Sequence, residues 1–234
     1  LGKSYNPFLK EPDDSLLVSL TSSLRNTIYF NQNSNIIGID YTYSDNRAKT
    51  LLTNGFDSRI NTYHESRTRW NIIRKWTLLF NYKEGTKKNR NEFFSTKDYS
   101  IAYSEIQPKI SFQPNTRFRT SVSYKYTEKK NTPGLGGETA ALQNIGVEIK
   151  YNQLNKGGLL LKGNYIEIKY SASENNSLAF EMLEGLKIGQ NITWGLSYQR
   201  TLSNNLQISI GYDGRKSEGI KIIHTGTAQV RAFF

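Results

Sequence analysis

The side chains able to do acid–base, nucleophilic or metal chemistry are few and scattered. Two histidines, His64 and His224, show neither HExxH nor His-x-x-x-His spacing, so the sequence does not place two imidazoles on one metal. Cysteine is absent, which removes thiolate nucleophiles, disulfides and thiolate zinc sites. His64 adjoins Glu65 in a charged stretch that also carries Asp57, Arg59, Arg67 and Arg69. A mutually paired ionic network is expected there in preference to a general base. His224 falls on the apolar face of its segment, where a membrane phospholipase could place such a residue, but no nucleophile at a recognisable spacing accompanies it. Gly134, Gly136 and Gly137 lie between two strand patterns and not at a strand-to-helix turn, so loop flexibility is expected and a phosphate cradle is not. The chain is expected to be no enzyme and to use no cofactor or metal.

The elements that would position these groups read as strands throughout. Apolar residues alternate with polar ones at period two, the mark of a strand with one face in each environment. Leu206, Ile208, Ile210 and Tyr212 oppose Gln207, Ser209, Gly211, Asp213 and Arg215. Ile145, Val147, Ile149 and Tyr151 oppose Glu148 and Lys150, and Phe118, Val122, Tyr124 and Tyr126 oppose Arg117, Arg119 and Lys125. Eleven such segments are counted. Two are poorly phased: 56–70 is polar on both faces, and 159–170 changes phase midway, which suggests a bulge. Residues 1–14, with Pro7 and Pro12, are expected to be a linker or an inward-facing strip, and 15–234 the strand domain.

Segment length sets the class. The segments run to about 10 to 15 residues where strands of water-soluble proteins average roughly 5 to 6, long enough to cross a bilayer. Short turns are placed at Asn33 and Ser34, around Asn71, at Pro114 and Asn115, over 155–157, and at Ser203 and Asn204. Longer polar loops are placed between them at 45–54, 84–97, 128–138, 171–189 and 214–219. This alternation and the strand length predict an all-β, antiparallel, up-and-down transmembrane β-barrel of about 11–12 strands, alone or as part of a larger barrel. The mean hydropathy of −0.61 does not oppose this, because an alternating wall averages out its apolar face. Aromatic residues fall where membrane interfaces would be. Tyr41, Tyr43, Phe80, Tyr82, Tyr124, Tyr126, Tyr198 and Tyr212 are assigned to a lipid-facing girdle, with Phe30, Trp76, Phe112, Phe118 and Phe234 in a sparser inner one.

The opposite face is expected to line a hydrated lumen, carrying Asp57, Arg59, Glu65, Arg67, Arg69, Arg117, Arg119, Lys125, Glu148, Lys150, Asp213 and Arg215. The net charge of +11 raises nucleic acid as a partner, but the basic residues are interleaved with strand alternation or fall in the outside loops, so no nucleic acid is expected. Contacts to the phosphates of outer-membrane lipid and lipopolysaccharide fit better. One helical pattern interrupts the strands: in SLAFEMLEGL, Ser177 could cap, Leu178, Met182 and Leu186 share a face, and Gly185 ends the turn. It could fold back as a partial plug or dock a partner.

The last segment, HTGTAQVRAFF, alternates to a terminal aromatic. Here the chain resembles outer-membrane β-barrel proteins, a likeness that implies a closing strand, recognised by the barrel assembly machinery through Val230, Ala232 and Phe234. Ala232 stands where that family often has a second aromatic. The stretch from SLAFEMLEGLKIGQ to HTGTAQVRAFF, about the last quarter, is similar to the C-terminal end of large Bacteroidota outer-membrane proteins. That resemblance implies a larger polypeptide or other outer-membrane subunits as partners, residence in the cell outer membrane and a periplasmic C-terminus. An odd strand count points the same way, because a barrel whose first strand starts in the periplasm needs an even number. The functional expectation is a non-enzymatic anchor, scaffold or translocation component of a larger outer-membrane assembly. A passive, porin-like diffusion channel is the alternative, and a soluble ligand-binding barrel is opposed by strand length and the aromatic bands.

Overall fold

Every alternating segment becomes one strand of a single sheet. A computed structural model describes residues 18–232 apart from 54, 155, 174–176 and 204–205. In order the strands are β1 (Ser19–Phe30), β2 (Ile37–Leu52), β3 (Gly55–Ile73), β4 (Trp76–Asn91), β5 (Tyr99–Phe112) and β6 (Phe118–Asn131). Then follow β7 (Thr139–Gln153), β8 (Gly157–Tyr170), a short helix α1 (Ser177–Met182), β9 (Gly189–Ser203), β10 (Leu206–Ser217) and β11 (Ile223–Ala232). Each strand is antiparallel to the next, and sheet order equals chain order from β1 to β11. The fold is the all-β, antiparallel, up-and-down barrel architecture read from the sequence, with eleven strands among the described residues. Residues 1–14 and Phe234, to which a linker and part of a terminal signal were assigned, lie outside the described residues.

Three local expectations are corrected. The polar stretches at 45–54 and 84–97 are mostly strand and not loop, since β2 runs to Leu52 and β4 to Asn91, and the first four residues of 128–138 continue β6 to Asn131 before the loop begins. Polarity there records where the apolar band stops, while the ladder continues because each N–H still has a partner across the hairpin. Likewise β10 extends to Ser217 through most of the loop placed at 214–219. The turn placed around Asn71 lies at Arg74 and Lys75, with a register shift between Asn71 and Ile73. No bulge breaks β8, whose register is continuous with both neighbours from Gly157 to Ile168. The irregularity of that side of the sheet sits instead between Leu206 and Gln207.

The two faces differ as the alternation requires. On β6 the buried residues are Ser121, Thr127, Lys129 and Asn131, all on one face, while Val122 and Tyr124 on the other are exposed. The exposed face carries Phe80, Ile106, Ile110, Val122, Ile145, Val147, Ile192 and Ile210, a continuous apolar surface far larger than a water-facing protein tolerates. The other face is concave. Side chains from β4 to β8 converge on α1; those four inter-strand steps would span roughly 19 Å in a flat sheet, whereas a six-residue helix is only roughly 9 Å long. Among the described residues no ladder joins β1 to β11. Unflanked on one side, β11 is exposed along its whole length.

Candidate functional site

The concave face is built around α1. Leu178, Ala179, Met182 and Leu183 are buried against Ile101 of β5, Ala140 and Leu142 of β7, and Ile166 and Ile168 of β8. These nine residues are the whole buried apolar core of the described residues. The phase change noticed in 159–170 is explained here. The first half of β8 puts Leu159 and Leu161 on the convex face, and the second half puts Ile166 and Ile168 on the concave one, because the floor under α1 must be apolar. The helical pattern of SLAFEMLEGL is realised over Ser177–Met182, with Met182 fully buried. Leu183 and Gly185 donate back to Ala179 and Phe180 carbonyls at 2.8 and 3.1 Å to close the turn. Asn191 of β9, itself fully buried, fixes the exit by donating its amide to the Lys187 carbonyl at 2.7 Å.

A cationic rim borders this floor. Lys87 of β4 pairs with Glu181, and Lys129 of β6 reaches Glu184 at 3.1 Å while donating to the carbonyls of Glu181 and Met182, each at 3.1 Å. Lys125 meets Glu105 of β5 at 3.0 Å and Glu184 at 3.9 Å. Burial raises the Glu184 carboxyl, but the combined pull of Lys129, Lys125 and Lys87 outweighs it, and the group stays below its ordinary value. Glu184 holds φ of 57°, a left-handed conformation that favours glycine. A cavity of about 280 Å³ lies beneath the rim, lined by Asn61, Lys83, Tyr103, Glu105 and Thr127 together with Lys87, Lys129, Glu181 and Glu184. Gly85 leaves room above β4 for Tyr63 and Tyr103, since a Cβ there would lie 2.7 Å from the Tyr63 Cβ. Lys83 then rests over the Tyr63 ring at 3.9 Å.

The charged residues assigned to the inner face sit in several small groups. Asp57 pairs with Arg59 at 3.0 Å and Glu65 with Arg67 at 3.2 Å, each two residues apart on β3. Arg69 donates to the Gln32 and Ser34 carbonyls and so clamps the β1–β2 turn. Glu148 lies 4.0 Å from Lys109, and Arg119 and Lys150 stand directly opposite each other, a repulsive cross-strand pair. Arg117 precedes β6, and Asp213 and Arg215 line a shallow pocket beside Lys162 and Thr225. Only Lys125 of that set belongs to the rim. Lys83, Lys87, Lys129, Glu105, Glu181 and Glu184 were not selected, because Lys87 and Lys129 fall in stretches read as loops. Their period-two spacing, Lys83–Gly85–Lys87 and Lys125–Thr127–Lys129, was the available signal.

On the convex face the aromatic residues align in register. Tyr41 opposes Ser66, Ser66 opposes Tyr82, Tyr82 opposes Ile106 and Ile106 opposes Tyr126, which makes one cross-strand row. Both histidines join this face and not a catalytic cluster. His64 Nδ1 lies 2.6 Å from the Tyr41 hydroxyl and His224 Nδ1 lies 2.8 Å from that of Tyr212. Trp194 covers Gly214 and meets His224 edge-on, and the glycine is required because a Cβ would enter the indole ring at 2.2 Å. At the opposite end Trp76 packs on Phe112 with ring centroids 4.7 Å apart. Val230 and Ala232 share the His224 face of β11. No group of three potential metal ligands occurs among the described residues.

No family model and no curated protein matches the chain. Among solved structures it is similar to the translocator domain of the autotransporter NalP from Neisseria meningitidis, at 11% identity and a TM-score of 0.38 over 92% of this chain and 80% of that one. A likeness of that size carries no argument about function.

Proposed function

We propose that the chain is the membrane-spanning wall of an outer-membrane β-barrel and serves as an anchor, scaffold or translocation component of a larger assembly, with no catalysis of its own. The observation that carries this reading is the pair of bare edges. Strands β1 and β11 run in the same direction, and no ladder joins them among the described residues. The convex apolar surface and its aromatic row belong in lipid, where an unpaired N–H or C=O costs several kcal/mol. A bare edge of ten residues would therefore cost on the order of tens of kcal/mol in hydrocarbon, more than the roughly 5–15 kcal/mol by which a domain is stable. Further strands, from the same polypeptide or from other outer-membrane subunits, relieve that cost. In this reading the concave face is the lumen, outer-membrane lipid and lipopolysaccharide meet the convex face, and the barrel assembly machinery acts during biogenesis.

The test is purification of the native unit from outer membranes with an antibody against HTGTAQVRAFF. A polypeptide or stable complex well above 26.8 kDa is the expected result. A free, folded, heat-resistant unit of 26.8 kDa would overturn the reading. A passive diffusion channel is the second reading, favoured by the charged concave face. The position of α1 across that face opposes it, and steady conductance of the native unit in planar bilayers would restore it.

A further inference from the structure

The footprint of α1 joins two kinds of surface. Ile101, Leu142, Ile166 and Ile168 make an apolar floor, and Lys87, Lys125 and Lys129 make a cationic rim beside it. A fixed plug needs no such rim, because well-packed apolar residues seal a wall at least as stably as buried ion pairs do. What a rim of cations adds is selectivity for the carboxylates that sit on it.

We propose that this footprint is a binding site for a short acidic amphipathic peptide segment, and that α1 fills it from within the chain until such a segment competes it away. The chemistry of the occupant defines the ligand: apolar side chains at the positions of Leu178, Met182 and Leu183, and carboxylates three residues apart at the positions of Glu181 and Glu184. Two features make α1 displaceable. A helix of six residues does not persist without its seat, so undocking and unfolding are one step with little else to break. The docked form also holds Glu184 at a positive φ of 57°, followed by Gly185 at 73°, so the segment relaxes when it leaves. Lys129 is the discriminating residue. Its ammonium is buried and satisfied by one carboxylate and two carbonyls of the α1 segment, so an occupant that replaces α1 and excludes water must bring an anion to it. The site does not depend on how the barrel is completed and stands apart from the function proposed above.

Residues 1–234 contain no cysteine, so Met182→Cys introduces the one thiol among them. The native assembly carrying that substitution is exposed to a charged maleimide, with labelling at position 182 followed by mass spectrometry. The probe is the synthetic peptide SLAFEMLEGLK. Labelling is slow at rest and rises roughly tenfold or more with saturating peptide or with Lys129→Gln, as loss of a buried ion-pair partner implies. A peptide with Gln in place of both Glu leaves it slow. Labelling that the acidic peptide does not accelerate overturns the proposal, whatever Lys129→Gln does, as does equal action by the Gln peptide. Should Met182→Cys fail to assemble, hydrogen exchange over 178–186 of the unsubstituted protein decides: faster exchange with the acidic peptide supports the site, and unchanged exchange removes it.

Discussion

Strands β8 and β11 belong to one sheet and have opposite fates. In β8 both edges are paired and the outer half is roofed by α1, so Ile166 and Ile168 are buried at 8% and 1% exposure. In β11 one edge is paired and neither face is covered, and Val230 is 64% exposed. A strand of this sheet is thus stabilised only in part by what its own sequence contains. The centre of the wall is finished within the described residues, and under the function proposed above its margins are finished by further strands.

The largest effect should appear where that contrast is sharpest. Ile168→Ala opens a cavity under α1 and should weaken its docking by about 2–5 kcal/mol, measured as loss of exchange protection over 178–186. An unchanged protection pattern would mean that α1 is held by its ends alone. On the convex face, Val122 lies between Ile110 and Val147. Val122→Arg should cost about 2–4 kcal/mol, measured as loss of heat-resistant assembly; normal assembly would remove the lipid band. Ile208 sits opposite Arg200, so it lies near an interface. Ile208→Arg should therefore cost only about 0–1 kcal/mol.

Acid offers a graded version of the first experiment. The Glu184 carboxyl is held below its ordinary value in the docked form, so its contribution is present above the ordinary carboxylate range and is lost as pH falls through the depressed value. The groups that face it are Lys87, Lys125 and Lys129 from the wall, with Glu181 and Glu105 nearby. Exchange over 178–186 should accelerate only in that acidic window, and Glu184→Gln should flatten the dependence. The smallest change is expected from Val230→Ala on the exposed strand, within about 0.5 kcal/mol in the isolated chain. A large loss there would show that β11 already has a partner.

Strand number and order were legible because they rest on period-two alternation, which survives wherever one face is apolar. Strand ends were not, since beyond the apolar band composition turns polar while hydrogen bonding continues, as in the outer parts of β2, β4 and β6. The same effect hid the rim: Lys87 and Lys129 looked like loop charges although their spacing kept the strand rhythm. The α1 segment was recognisable from helical spacing, but its seat was not, because Ile101, Leu142, Ile166 and Ile168 come from three strands and meet only in three dimensions. The apparent phase error in β8 was the one trace of that seat in the sequence.

The unbroken order of the ladder also governs how such a wall can form. Every pairing from β1 to β11 joins neighbours in the chain, so each hairpin closes a short loop and contact order stays low however many strands are added. The wall can zip up one hairpin at a time, and under the function proposed above the slow, long-range event is the pairing of its two margins with the strands that complete the barrel. Until then both margins are templates for indiscriminate strand pairing, which puts the risk of aggregation at the last step of assembly and not the first.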